Sequence, residues 1–170
     1  MKIIEALKQI KELQKKADDL RGKVAKHSAY LNVENPVYPD QKKQVAEWIQ
    51  AHSDILKEIL RLRVAIQRTN LETPVTITLG DKDVTKSIAE WIHRRRDLAN
   101  EEAIMWQQLT DRNLKEGTMK QSTEQLVEVK IVRCYDPSQR DEKVYLYSSE
   151  PTTVDAKLEI VNAVTDLIET

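Results

Sequence analysis

The chain has 170 residues, enough for one domain with appendages. Its 32% charged content, three glycines and absence of Phe suit long helices better than a compact α/β enzyme that needs glycine at its turns. A net charge of −1 excludes a molecule built as a whole to coat nucleic acid or an acidic membrane. The charge is uneven, with eight Lys/Arg against four Asp/Glu in residues 1–28 and three against eight in residues 136–170. The two ends are therefore expected either to attract each other or to stand as solvated faces of opposite sign.

Residues 1–70 read as a helical hairpin. In the first helix, apolar residues fall at Ile3, Leu7, Ile10, Leu13, Ala17, Leu20 and Val24, steps of three and four with one slip near Leu13. Gly22 weakens that helix by ~1 kcal/mol relative to Ala. Pro36 and Pro39 break the pattern, and Asp40 is placed to cap the next helix. The second helix carries an unbroken seam at Val45, Trp48, His52, Ile55, Ile59, Leu62 and Ile66. Ile49, Leu56 and Leu60 widen its apolar face beyond what one neighbour can cover, which calls for a third helix or a second subunit.

Residues 71–83 are β-branched and alternating, and read as a β-arm ending in a Gly80-Asp81 turn. A third helix is expected over 84–116, with Ile88, Trp91, Leu98, Met105 and Leu109 on its seam, Ile92, Ala99, Ala103 and Trp106 beside it, and Gly117 at its exit. Over 124–149 the runs at Leu126–Ile131 and Val144–Tyr147, separated by a polar turn at Asp136–Asp141, predict a β-hairpin. A last helix is expected over 152–169, opened by a capping box at Thr152–Asp155 and buried through Val154, Leu158, Val161, Val164 and Ile168. The fold expected is a single, mainly α domain: a long antiparallel coiled-coil bundle with a short β-arm and a β-hairpin insertion.

With these elements placed, the sequence resembles a small group of bacterial helical proteins labelled septicolysin. The likeness is strongest over residues 59–109. It rests on Ile66 to Asn70 at the end of the second helix, Gly80 in the β-like segment, Ile88-Ala89-Glu90, and Arg96-Asp97-Leu98. Leu158 to Asn162 is similar to the group's closing pattern, although Ala163 stands where a Trp often follows, and residues 119–151 depart from the group. The resemblance implies a helical hairpin and no particular activity. A pore-former would need membrane-inserting amphipathic hairpins of a length not found here.

Chemical constellations are sparse. Glu90 and His93 have the i, i+3 spacing of carboxylate-bridged di-iron bundles, but a second copy of the motif and further carboxylates are missing; the bland reading is a surface Glu and a half-exposed His. No cofactor is implied. His52 on the seam suits setting register better than binding metal. Arg95 and Glu102, seven apart on one face, could meet across a two-fold axis or simply lie on a wet helix edge. Arg94, Arg95 and Arg96 fan through ~200° of helix and form no flat phosphate-binding patch. Cys134 is the only cysteine; with no apolar run long enough to span a bilayer and no signal-peptide core at the N-terminus, it points to the cytoplasm, or to a virion for a phage-encoded chain. No nucleotide-binding loop, dinucleotide fingerprint or paired-Cys zinc pattern is present.

These features favour a non-enzymatic structural or interaction protein that forms a homo-oligomer through Trp48, His52, Ile55, Ile59, Leu62, Trp91, Arg95 and Glu102, with the strand segments offering edges to other structural proteins. The competing expectations are a bacteriophage head, neck or tail component, a metal-dependent helical-bundle enzyme using Glu90 and His93, and a nucleic-acid-associated protein using the basic first helix and Arg94–Arg96.

Overall fold

Helix α1 (Ile3–His27) and helix α2 (Gln41–Glu72) fold back on each other in the computed structural model, which describes residues 1–122 and 124–169. The start of α1 is fixed by Glu5, whose carboxylate accepts from the Lys2 backbone N–H at 2.8 Å. Asp40 caps α2 as expected, accepting from the Lys43 N–H at 3.1 Å. Between the helices, the buried Gln41 side chain donates to the His27 carbonyl (2.9 Å) and accepts from the Val37 N–H (3.1 Å), which satisfies backbone groups that the proline-broken connection leaves open. His27, Tyr38 and Trp48 cluster there, with ring centroids 5.2–5.6 Å apart.

The described residues are mostly helical, with two small antiparallel hairpins. Strand β1 (Pro74–Leu79) turns through Gly80, at φ +65°, into β2 (Lys82–Ser87). A left-handed φ at the first position of a two-residue turn suits glycine. Helix α3 (Ile88–His93) continues through a π-helical turn (Arg94–Leu98) into α4 (Ala99–Gln107) as one rod. Strand β3 (Gly117–Lys120) pairs antiparallel with β4 (Leu126–Val129), Gly117 opposite Val129 and Lys120 opposite Leu126. Helix α5 (Pro137–Val164) completes the chain's helices.

Several sequence expectations change here. The third helix does not begin at residue 84: Val84 to Ser87 form the return strand of the first hairpin, and Gly117 opens β3 instead of ending a helix. The β-hairpin expected over 124–149 keeps only its first strand, whose partner lies upstream. Val144–Tyr147 is helical, because Asp136-Pro137-Ser138 is a helix start and not a turn. Pro137 sits where a missing N–H costs nothing, and Asp136 accepts from the Ser138 N–H at 2.9 Å. The last helix therefore begins fifteen residues before the supposed capping box at Thr152, with Pro151 inside it. Pro151 deprives the Tyr147 carbonyl of its i+4 donor. Two hydroxyls donate to carbonyls alongside this break: Ser149 to Leu146 (3.1 Å) and Thr153 to Ser149 (3.3 Å).

The chain divides into two compact units. The first holds α1, α2, residues 87–89 and the chain from Leu158 onward. Its interior includes Ile3, Ala6, Ile10, Trp48, Ile59, Leu62, Leu158 and Leu167. The chain's ends do meet in this unit. Lys2 pairs with Asp166 at 2.7 Å, the Ile3 N–H donates to the Thr165 carbonyl (3.0 Å), and the Leu167 N–H donates to that of Met1 (2.8 Å). Thr69, fully buried, donates to the Ala65 carbonyl (2.8 Å) and accepts from the Ile168 N–H (2.9 Å). The second unit holds residues 75–86 and 90–157, with Val75, Ile77, Trp91, Ala99, Ala103, Glu150 and Val154 buried. The Trp91 indole N–H donates to the Val75 carbonyl at 2.9 Å, tying the first hairpin to the helix that follows it.

Candidate functional site

Helix α2 carries two apolar stripes. The seam read from the sequence faces inward: Trp48, Ile59 and Leu62 are buried, and Val45, His52, Ile55 and Ile66 half-buried. Ile49, Leu56 and Leu60, which widened that face, turn away from the unit's interior, and Val64 and Leu71, which the sequence reading did not single out, join them. Ile49 is 55% exposed, Leu56 48%, Leu60 63%, Val64 44% and Leu71 68%. At 100° per residue these five lie within ~80° of one another around the helix, so they form one stripe and not a scatter. Ser53 and Gln67 fill the gaps in it. Of the residues expected at an oligomer interface, Trp48, Ile59, Leu62 and Trp91 are instead spent inside the chain's own units, and the outward face belongs to their neighbours.

The π-helical turn explains a second shift. A π turn inserts one extra residue, rotating all that follows by roughly the 100° of one α-helical step. Trp91 is therefore aligned with Ala99 and Ala103, which are buried, while the expected seam residues Leu98 and Met105 are exposed.

The same turn supplies the most concentrated polar cluster among the described residues. Arg94 donates to both carboxylate oxygens of the buried Glu150, at 2.8 and 2.7 Å, and to Glu102 at 3.3 Å; its guanidinium lies 5.7 Å from the centre of the Tyr147 ring. The Glu150 hydrogen bonds raise the Arg94 pKa above its ordinary value. Burial, then the Glu102 charge, push the Tyr147 hydroxyl up. Arg95 pairs with Asp155 at 2.7 Å. Arg95 and Glu102 thus each have a partner within the chain. Arg96 contacts Asp97 (3.6 Å) and His93 Nδ1 (3.1 Å), so all three arginines of the basic run face neutralising or polar groups.

A further cluster escaped the sequence reading. Asp111 accepts two hydrogen bonds from Arg133 (2.8 and 2.6 Å) and one from the Tyr135 hydroxyl (2.9 Å). Arg140 donates to the Leu109 carbonyl at 3.0 Å and stacks on Tyr135 at 5.5 Å. These residues line a cleft of about 250 Å³. Arg133 and Tyr135 hold the Asp111 carboxyl below its ordinary value. Arg133 and Tyr135 fall between the run at Leu126–Ile131 and the turn expected at Asp136–Asp141, and no spacing in the sequence joins them to Asp111. Cys134 is exposed beside the cluster and lies outside any strand.

Glu90 and His93 are both exposed, and among the described residues no group of three or more His, Cys, Asp or Glu side chains could hold a metal ion. Among the same residues no helix is long and apolar enough to cross a membrane. His52 lines a shallow cleft of about 120 Å³ with Leu20, Val24 and Ile49.

A model for a family of unknown function (DUF6847) matches residues 10–167. No curated protein matches the chain. Among solved structures, a functionally unknown conserved protein from Corynebacterium diphtheriae is 21% identical, with 99% of each chain covered and a TM-score of 0.56, so the fold is shared.

Proposed function

The chain belongs to the family of unknown function DUF6847, and we propose that it is a non-enzymatic structural protein that assembles with itself through the outward face of α2. One observation carries this reading: five large aliphatic side chains lie exposed along one side of one helix, while the opposite side is already packed. Single exposed apolar residues are ordinary on any surface, but a row of them along one side of a helix marks an interaction site. Pairing the stripe with its own copy would remove on the order of 1,000 Å² from water, the size at which specific association begins. The conspicuous charged residues, Arg94, Arg95, Glu150 and Asp111, are each engaged by a partner of opposite sign.

Light scattering coupled to size exclusion, at micromolar concentration, tests the proposal. The expected mass is that of at least two copies. Leu60→Glu places a charge at the middle of the stripe and is expected to reduce the mass to one copy with the helical circular dichroism unchanged. A wild-type chain that runs as a stable monomer overturns the reading.

A further inference from the structure

The outward stripe of α2 reads the same in both directions. From Ile49 the steps are four, three, four to Leu60, and again four, three, four to Leu71. Chemistry follows the same mirror: Ile49 answers Leu71, Ser53 answers Gln67, Leu56 answers Val64, and Leu60 stands alone at the centre. The spacing of Ile49, Leu60 and Leu71 is an eleven-residue repeat, about 3.67 residues per turn, close to the α-helix's own 3.6. Such a stripe stays nearly straight along its helix, so two helices could remain in contact over ~33 Å with little supercoiling. The inward seam of the same helix instead follows three-and-four heptad spacing, Trp48 to Ile55 to Leu62. One helix therefore carries two patterns of different period, and the outward one is self-complementary.

We infer that α2 pairs antiparallel with α2 of a second copy across a two-fold axis at Leu60. This rests on the self-association proposed above and names its partner and register. A two-fold axis across the helix maps each residue onto the position equally far beyond Leu60, which sets Ile49 against the partner's Leu71 and Leu56 against the partner's Val64. Both polar interruptions then coincide, Ser53 beside the partner's Gln67, where hydroxyl and amide can hydrogen-bond in place of facing an apolar group. In a parallel pairing Ser53 would meet Ser53 and Gln67 would meet Gln67, and the mirror symmetry of the sequence would have no role. Of the basic side chains that border the centre, Lys57 pairs with Asp54 at 3.0 Å and Arg61 with Glu58 at 2.8 Å, while Arg63 is exposed, so the register rests on the spacing of the stripe and not on charge.

Cysteine cross-linking tests the register in the full-length chain, with Cys134→Ser removing the exposed native thiol. Leu60→Cys is expected to form a disulfide-linked dimer under mild oxidation, because on the axis the two Cα atoms come within disulfide reach. Ile49→Cys alone is expected to stay unlinked, since its copies would lie ~33 Å apart, and a mixture of Ile49→Cys and Leu71→Cys chains is expected to link. Self-linking of Ile49→Cys, or failure of both Leu60→Cys and the mixture while the scattering mass stays at two copies, overturns the register and leaves self-association standing. A one-copy mass for the unmodified chain removes both.

Discussion

Helices α2 and α5 are of similar length, 32 and 28 residues, yet different forces hold them. Helix α2 is placed by area. Trp48, Ile59, Leu62 and Ala65 are buried along one side, most of its charged pairs are local ones three residues apart, and enough aliphatic surface remains to furnish a second face. Helix α5 has no buried apolar residue before Val154; the buried residue in its first half is Glu150. What fixes that half is directional: Arg140 on the Leu109 carbonyl, Glu150 on Arg94, and, one turn after Glu150, Asp155 on Arg95. Burial by area tolerates change and can leave a surplus for assembly. Anchoring by charged hydrogen bonds specifies a geometry but leaves little to spare when one partner is lost.

The contrast can be broken at its strongest point. Arg94→Ala would leave the Glu150 carboxylate buried without its cation, and is expected to destabilise the chain by about 3–5 kcal/mol. Urea unfolding measures it, and a loss below about 1 kcal/mol would show that α5 does not depend on the pair. The comparison sharpens on α2 itself. Leu62→Ala, facing inward, is expected to cost about 2–5 kcal/mol. Leu60→Ala, two residues away and facing outward, should change the unfolding free energy of the separated chain by less than about 0.5 kcal/mol. Its effect belongs to the mass of the assembly, measured at a concentration high enough for pairing.

The same difference decides how much was legible in the sequence. Periodicity reports burial by area, so α1, α2, the proline-broken connection and the Asp40 cap were all readable, and so was the surplus at Ile49, Leu56 and Leu60. The side on which that surplus would be spent was not. The seam was assigned to the interface on the width of the apolar face, and its residues Trp48, Ile59 and Leu62 are buried within the unit. Where placement is polar, periodicity has nothing to report. Val144 to Tyr147 alternates like a strand, and Pro151 reads as a stop, yet the helix runs through both because its anchors are Arg140 and Glu150. The π turn at Arg94–Leu98 hides in a different way: one inserted residue leaves composition untouched and shifts the buried face from Leu98 to Ala99. The Arg94–Glu150 pair joins residues 56 apart, a separation that no local pattern encodes.

The smallest expected effect lies at the first turn of α5. Asp111 is half-buried and held below its ordinary 3.8 by Arg133 and then Tyr135. Above about pH 5 the carboxylate is charged in both folded and unfolded chains, and its contribution to stability is fully present. As the pH falls below 3.8 the unfolded chain takes up the proton first, so the contribution declines and is gone once the pH passes below the folded value. Asp54, Glu58 and Asp166 are lowered in the same direction by Lys57, Arg61 and Lys2, so the whole chain loses stability on the acid side. The informative quantity is the difference between the wild type and Asp111→Asn. Melting temperatures followed from pH 5 downward should converge as the pH falls, because acid removes from the wild type what the substitution has already removed. Amide exchange of Asp111→Asn against the wild type at neutral pH should place the loosening at residues 137–141, where Arg140 grips the Leu109 carbonyl, and leave α2 unchanged. Loosening along α2 instead would mean that its hold is as electrostatic as that of α5, and the distinction between the two helices would fall.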